Sequence, residues 1–161
     1  MNKQHLYFIG GIAAGTVLIV LLSKYFSNKF DLSVFDSPDK LGSGKLMNKQ
    51  FLAMLKKAEK YAGFTFSYNS GFRTKSHNKI VGGVTDSSHT KGLAVDIKAI
   101  SIKQRDAIVA AARKAGFKRI GIASTFVHLD NDLSKPLYVA WGYPNGRKAP
   151  YNPFEKGRSV A

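Results

Sequence analysis

The spacing of apolar and polar positions changes several times along the chain, and each change predicts an element. From Leu6 to Leu22 no residue is charged, and Val17 to Leu22 are apolar without interruption. This run of 17 residues sits at the lower limit of a bilayer span, which needs about 17–25 residues at roughly 1.5 Å rise each. Ser23 to Phe26 lengthen it, with Lys24 able to snorkel and Tyr7 and Tyr25 at the two interfaces. Residues 1–26 are therefore expected to form an uncleaved membrane anchor. The rival is a secretory signal, but Ser23 to Lys29 carry bulk and charge where cleavage needs small residues. Lys3 before the span and Lys24 and Lys29 after it leave the orientation open on charge alone.

Residues 27–45 are polar and contain Pro38, Gly42 and Gly44, the composition of a linker and leading loop. A helix is predicted next, with Asn48 as its N-cap, Phe51, Leu55, Ala58 and Ala62 on one face, and Gly63 as its stop. Phe64 to Tyr68 alternate with a period of two, which predicts a half-buried strand, and Asn69-Ser70-Gly71 a turn. Phe72 to Thr90 show little period and read as a long loop, a feature that is usually functional. Leu93 to Ile97 predict a strand with Leu93, Val95 and Ile97 inward and Asp96 on the opposite face. Ser101 and Gln104 form a capping box, and Ile108, Ala111, Ala112 and Ala115 carry that helix to Gly116. Two short strands are predicted at Phe117 to Ile122 and Phe126 to Asp130; in the second, Phe126, His128 and Asp130 share a face. Residues 46–143 are thus expected to be the folded domain and 144–161 a basic tail without periodicity.

Composition narrows the chemistry. A length of 161 residues allows one domain and an extension. The absence of cysteine excludes a disulfide-stapled miniprotein, a thiol nucleophile and any Cys-ligated metal site. Lys and Arg number 25 against 10 Asp and Glu, a formal charge of +15. An anionic partner follows, whether nucleic acid, lipid headgroup or cell-wall polymer. The basic residues are scattered without a nucleic-acid motif, so no specific nucleic acid is expected. His89 and Asp96 lie around Gly92, and His128 projects from another predicted strand. Two imidazoles and one carboxylate suit Zn²⁺ and leave a fourth position for water, the pattern of a catalytic site. Residue types alone do not select these three, because such a set arises by chance in most chains of this size.

The context selects them. Ser87-Ser88-His89-Thr90-Lys91-Gly92-Leu93-Ala94-Val95-Asp96 fits Ser-x-His-x-x-Gly-x-Ala-x-Asp, and Phe126-Val127-His128-Leu129-Asp130 follows. With Ser70-Gly71-Phe72-Arg73, Val81-Gly82-Gly83 and Arg119-Ile120-Gly121-Ile122, the chain resembles the zinc D-Ala-D-Ala carboxypeptidase family from about Phe35 to Trp141. That family of peptidoglycan peptidases includes phage endolysins and is related to the hedgehog fold. The resemblance implies Zn²⁺ as cofactor with His89, Asp96 and His128 as its ligands, and hydrolysis of an amide in peptidoglycan peptides. It sets Arg73 where a guanidinium grips a peptide carboxylate or carbonyl, and Ser87 and Gly92 where they shape the substrate loop. The expected fold is α+β: a small antiparallel sheet with packed helices around a zinc cleft, preceded by the N-terminal transmembrane helix.

One departure stands out. Many relatives carry Glu or Asp three residues before the second zinc His, or another His two before it, as general base. Thr125 and Phe126 occupy those positions here, and neither takes a proton at neutral pH. Asp130 is the carboxylate placed to help, either as a proton shuttle or as a group that orients a ligand. Asp132, Asp36, Asp39 and Asp86 are weaker candidates, and His77 reads as a loop residue. A substrate outside the cytoplasm implies an N-terminus inside and a periplasmic or extracellular domain on the cytoplasmic membrane. A phage lysis enzyme and a cellular wall-remodelling enzyme both fit. The rival class is a non-catalytic zinc domain that binds wall peptide.

Overall fold

The computed structural model describes residues 30–144 and 147–155. The expected anchor at 1–26 lies outside them, as does the end of the tail. Among the described residues no helix is long and apolar enough to cross a membrane. The described residues from Leu32 onward form one compact unit.

Two long helices build one layer. Helix α1, Lys49–Ala62, starts where the Asn48 side chain accepts the Phe51 amide at 3.0 Å, and ends at Gly63, whose φ of 78° suits glycine. A short α2, Lys75–Ile80, follows. Helix α3, Ile102–Ala115, is capped by Ser101, whose side chain accepts the Gln104 amide, and stops at Gly116. The apolar faces of α1 and α3 pack on each other, and Phe51 meets Phe117 edge-on at 5.7 Å.

The second layer is a sheet of five strands: β1 (Tyr68–Ser70), β2 (Ala94–Lys98), β3 (Arg119–Ile122), β4 (Phe126–Asp130) and β5 (Val139–Gly142). Their order is β1-β2-β4-β3-β5. The first three pairings are antiparallel, but β5 runs parallel to β3, so the sheet is mixed where an antiparallel one is expected. After Asp130 the chain reverses, passes β3 and lies along its free edge, which leaves β5 antiparallel to β4 and parallel to β3. One sheet face carries Val95, Ile97, Ile120, Ile122, Val127 and Leu129, all buried, and is the core face. Alternation puts Asp96, Gly121, His128, Asp130 and Trp141 on the other.

Four local readings change. Phe64 to Ser67 are not a strand: the buried Glu59 carboxylate accepts the Phe66 amide at 3.0 Å and the Tyr68 hydroxyl at 2.8 Å. That amide is withheld from the ladder, so β1 begins at Tyr68 and takes in two residues of the predicted turn. The 72–90 loop holds α2, capped by the Thr74 side chain on the His77 amide, and a 3₁₀ turn at Ser88–Lys91. The stretch read as a linker is packed from Leu32 on: Phe35 is fully buried against Tyr68, with ring centroids 4.8 Å apart. The described part of the tail also packs, since Tyr151 donates to Asp106 on α3 at 2.6 Å and Ala149 is buried.

Candidate metal centre

The pairing of β2 with β4 sets Asp96 directly opposite His128, so their side chains leave the same face as neighbours. The third residue arrives from the 3₁₀ turn that feeds β2. Gly92 closes that turn at φ 67°, and a Cβ there would lie 2.3 Å from the Leu46 carbonyl oxygen. Only glycine meets both demands. The turn thereby delivers His89 beside the two strand residues. His89, Asp96 and His128 are all buried, and one ligand atom from each lies within 4.8 Å of the other two.

Hydrogen bonds choose which atoms face inward. His89 Nδ1 lies 2.7 Å from the Gly71 carbonyl oxygen, which can only accept, so Nδ1 carries the proton and Nε2 offers its lone pair. His128 Nε2 lies 3.3 Å from the Asp130 carboxylate, which leaves His128 Nδ1 for the centre. The two inner nitrogens face each other at 3.3 Å, and Asp96 Oδ1 lies 2.8 Å from His128 Nδ1. Two lone pairs and a carboxylate converging in a buried space fit a divalent cation, and an acceptor on the outer nitrogen of each ligating imidazole is what metal sites use to fix ring orientation.

Electrostatics follow the same geometry. Burial lowers the His89 pKa. Burial acts to raise that of Asp96, yet hydrogen bonds from His128 and His89 overcome it and hold the carboxyl well below the usual range. For His128 burial acts downward, and the hydrogen bonds to Asp130 and Asp96 prevail, pushing it up to about 9. Arg73 adds a second cation, with its guanidinium on Asp96 Oδ2 and its Nε donating to Ser70 Oγ at 2.8 Å.

The centre lies in a cleft of about 690 Å³ whose lining includes Arg73, Ser87, Asp130, Phe126, Trp141 and Tyr143. The carboxylates that line it are Asp96 and Asp130. Asp130 Oδ1 accepts from Arg119 Nε at 2.7 Å, while its Oδ2 faces the outer nitrogen of His128, so the imidazole stands between Asp130 and the other two ligands. The weaker acidic candidates are engaged elsewhere: Asp36 binds the Gly42 and Gly44 amides, Asp39 the hydroxyls of Ser37, Thr74 and Ser76, and Asp86 the Lys91 ammonium. Asp132 accepts from Ser88, Lys91 and Ser134. His77 sits on α2 and is not among the residues lining the cleft.

Sequence reasoning placed Arg119 in a motif and Trp141 at the end of the resemblance but assigned no role to either, nor to Tyr143. A signal existed for Arg119, which alternates with Gly121 on β3 and so shares the His128 face. Trp141 and Tyr143 follow a proline-containing stretch without period, and nothing local marks them.

Residues 28–130 match the family model described as Peptidase M15. The chain belongs to the Peptidase M15 family. This agrees with the resemblance to zinc D-Ala-D-Ala carboxypeptidases carried by the Ser-x-His-x-x-Gly-x-Ala-x-Asp motif. No curated protein matches the chain. The M15 match ends at the last residue of β4, so β5 and the aromatic wall of the cleft lie beyond it.

Proposed function

We propose that this M15 chain is a zinc-dependent peptidase that hydrolyses an amide bond in peptidoglycan peptides, as a D,D-carboxypeptidase or an endopeptidase. The observation that carries the reading is the buried His89, Asp96 and His128 group, with ligand atoms within 4.8 Å of one another. These three residues would hold the ion. Zn²⁺ bound there supplies Lewis acidity, lowering the pKa of a water and polarising the carbonyl under attack. The Gly71 carbonyl and Asp130 keep the two imidazoles in register. Arg73 pairs with Asp96 and presents its guanidinium to the cleft, where a peptide carboxylate or carbonyl would bind. Asp130, on the outer nitrogen of His128 and on Arg119, serves as an orienting carboxylate in this reading. The proposal extends to an anchor at residues 1–26 with the N-terminus inside and the domain periplasmic or extracellular, in a phage lysis enzyme or a cellular wall-remodelling enzyme. A charge of +15 suits retention on a wall rich in carboxylates.

Digestion of purified peptidoglycan by the full-length chain tests the reading. New amines or free D-Ala are expected with zinc, and none after chelation. An intact wall with one equivalent of zinc still bound would favour the other reading, a non-catalytic zinc domain that binds wall peptide. One observation speaks for it: Thr125 and Phe126 replace the family's base, and both carboxylates lining the cleft are already paired. Topology is tested by protease treatment of intact spheroplasts, where protection of the C-terminal tail contradicts the proposed orientation.

A further inference from the structure

We infer that the Tyr143 hydroxyl donates a hydrogen bond to the substrate oxygen at the amide under attack. The inference rests on the peptidase reading above. A single row of cross-strand neighbours runs across the sheet: Ser70, Asp96, His128, Gly121 and Trp141. Gly121 is the gap in that row, immediately beside His128. A Cβ at Gly121 would lie 2.7 Å from Tyr143 Cε2 and 2.9 Å from Trp141 Nε1, so two aromatic rings occupy the space a side chain would take. Trp141 packs on the His128 ring at 5.4 Å, and Tyr143 on Phe126 at 4.7 Å. The phenol is thus wedged in the cleft wall next to a metal-ligand candidate.

The Trp141 indole N–H, which can only donate, neighbours the Tyr143 ring over the Gly121 gap and cannot take the phenol's proton. Among the described residues no acceptor takes the phenol's own proton. Burial, and after it the Asp96 carboxylate, holds Tyr143 in its protonated form well above neutral pH. Arg119 is committed to Asp130 and the Pro136 carbonyl, and Arg73, held by Asp96 and Ser70, has the rest of its guanidinium toward the cleft for another substrate group. Tyr143 therefore offers a neutral, fixed donor on the rim of the candidate centre. A donor held in place before reaction stabilises developing negative charge on oxygen without reorganisation.

Tyr143→Phe keeps the ring and removes the donor. In the full-length zinc-loaded chain, kcat on a stem-peptide substrate should fall about 100- to 1000-fold with KM changed by less than about twofold. Affinity for a phosphinate dipeptide, which mimics the tetrahedral oxygens, should fall at least about tenfold. Zinc stoichiometry and Tm should stay at wild-type values. Trp141→Phe, which trims the ring packed beside the phenol over Gly121, should lower kcat in the same direction by less. Wild-type kcat and phosphinate affinity in Tyr143→Phe would overturn the inference. If the wild type cuts no peptide, the peptidase reading fails separately. Calorimetry with the phosphinate then decides: equal affinity overturns the role of Tyr143, and a tenfold loss upholds it.

Discussion

Replacing Asp130 by Asn separates an orienting carboxylate from a proton shuttle. Its side chain is 2% exposed and makes three contacts: Oδ1 accepts from Arg119 Nε at 2.7 Å and from the Asp132 amide at 3.1 Å, and Oδ2 faces His128 Nε2 at 3.3 Å. Two donors require an acceptor at Oδ1, so the Asn amide must turn its NH₂ toward His128. That NH₂ meets a protonated Nε2 donor to donor, and the imidazole answers by moving its proton to Nδ1, the nitrogen needed at the centre. Loss of an orienting partner typically weakens metal binding about 10- to 100-fold, roughly 1.4–2.7 kcal/mol, and the wrong tautomer puts Asp130→Asn at the upper end. Arg119 also loses its counter-charge. Breaking a buried pair costs about 3–5 kcal/mol, and because Arg119 keeps the Pro136 carbonyl and the Trp141 ring the lower end, about 3 kcal/mol, is expected. Competition with a chromophoric chelator measures the zinc Kd, urea unfolding the stability, and peptide cleavage at saturating zinc the kcat. Unchanged zinc affinity with kcat reduced more than about 100-fold at saturation would refute the orienting role and establish the shuttle.

Three other outcomes are expected. The His128 pKa in the metal-free chain, about 9 against an ordinary 6.5, means that its ion pairs stabilise fully below pH 6.5 and fade as pH rises through 9. Calorimetry should therefore show Tm falling over that window without metal, and zinc uptake at neutral pH should release a proton; a flat profile with no proton release contradicts this. Gly121→Ala forces a methyl against Tyr143 and Trp141 at a cost of about 1–3 kcal/mol. Trp141 is the sole tryptophan, so its emission should shift, and an unchanged spectrum means the wall has room. Glu59→Ala strands the buried Phe66 amide and releases the Tyr68 hydroxyl, for an expected loss of about 2–4 kcal/mol in urea unfolding. A loss below about 1 kcal/mol would show that Glu59 does not organise the approach to β1.

The elements easiest to read were those whose signal is local. Helices α1 and α3 announce themselves by caps and apolar spacing, and β2 and β4 by alternation strong enough to put Asp96 and His128 on the polar face. The His89, Asp96 and His128 group was legible through the Ser-x-His-x-x-Gly-x-Ala-x-Asp motif and the family it resembles, and the fold brings the three residues together. Where a distant side chain decides the backbone, the pattern misleads: the period of Phe64 to Tyr68 records the burial of Phe66, while Glu59 takes the amide a strand would use. Helix α2 escaped because it has six residues and, apart from Ile80, a polar sequence, with the Thr74 cap as its one clear sign. Strand β5 and its parallel direction escaped because Val139 to Gly142 owe their pairing to the open edge of β3. The division of labour at Asp130 depends on Arg119, which no spacing rule couples to it.

The two halves of the cleft have different origins in the chain. His128 and Asp96 stand on adjoining inner strands, where slipping either by one residue would turn its side chain to the wrong face. Trp141 and Tyr143 stand on or just past the outermost strand of the sheet. Substitutions there alter the contour offered to a ligand while the interior register stays untouched. The outline of the rim is therefore separable from the register that sets Asp96 beside His128, save for the Tyr143 hydroxyl, which the proposed chemistry needs.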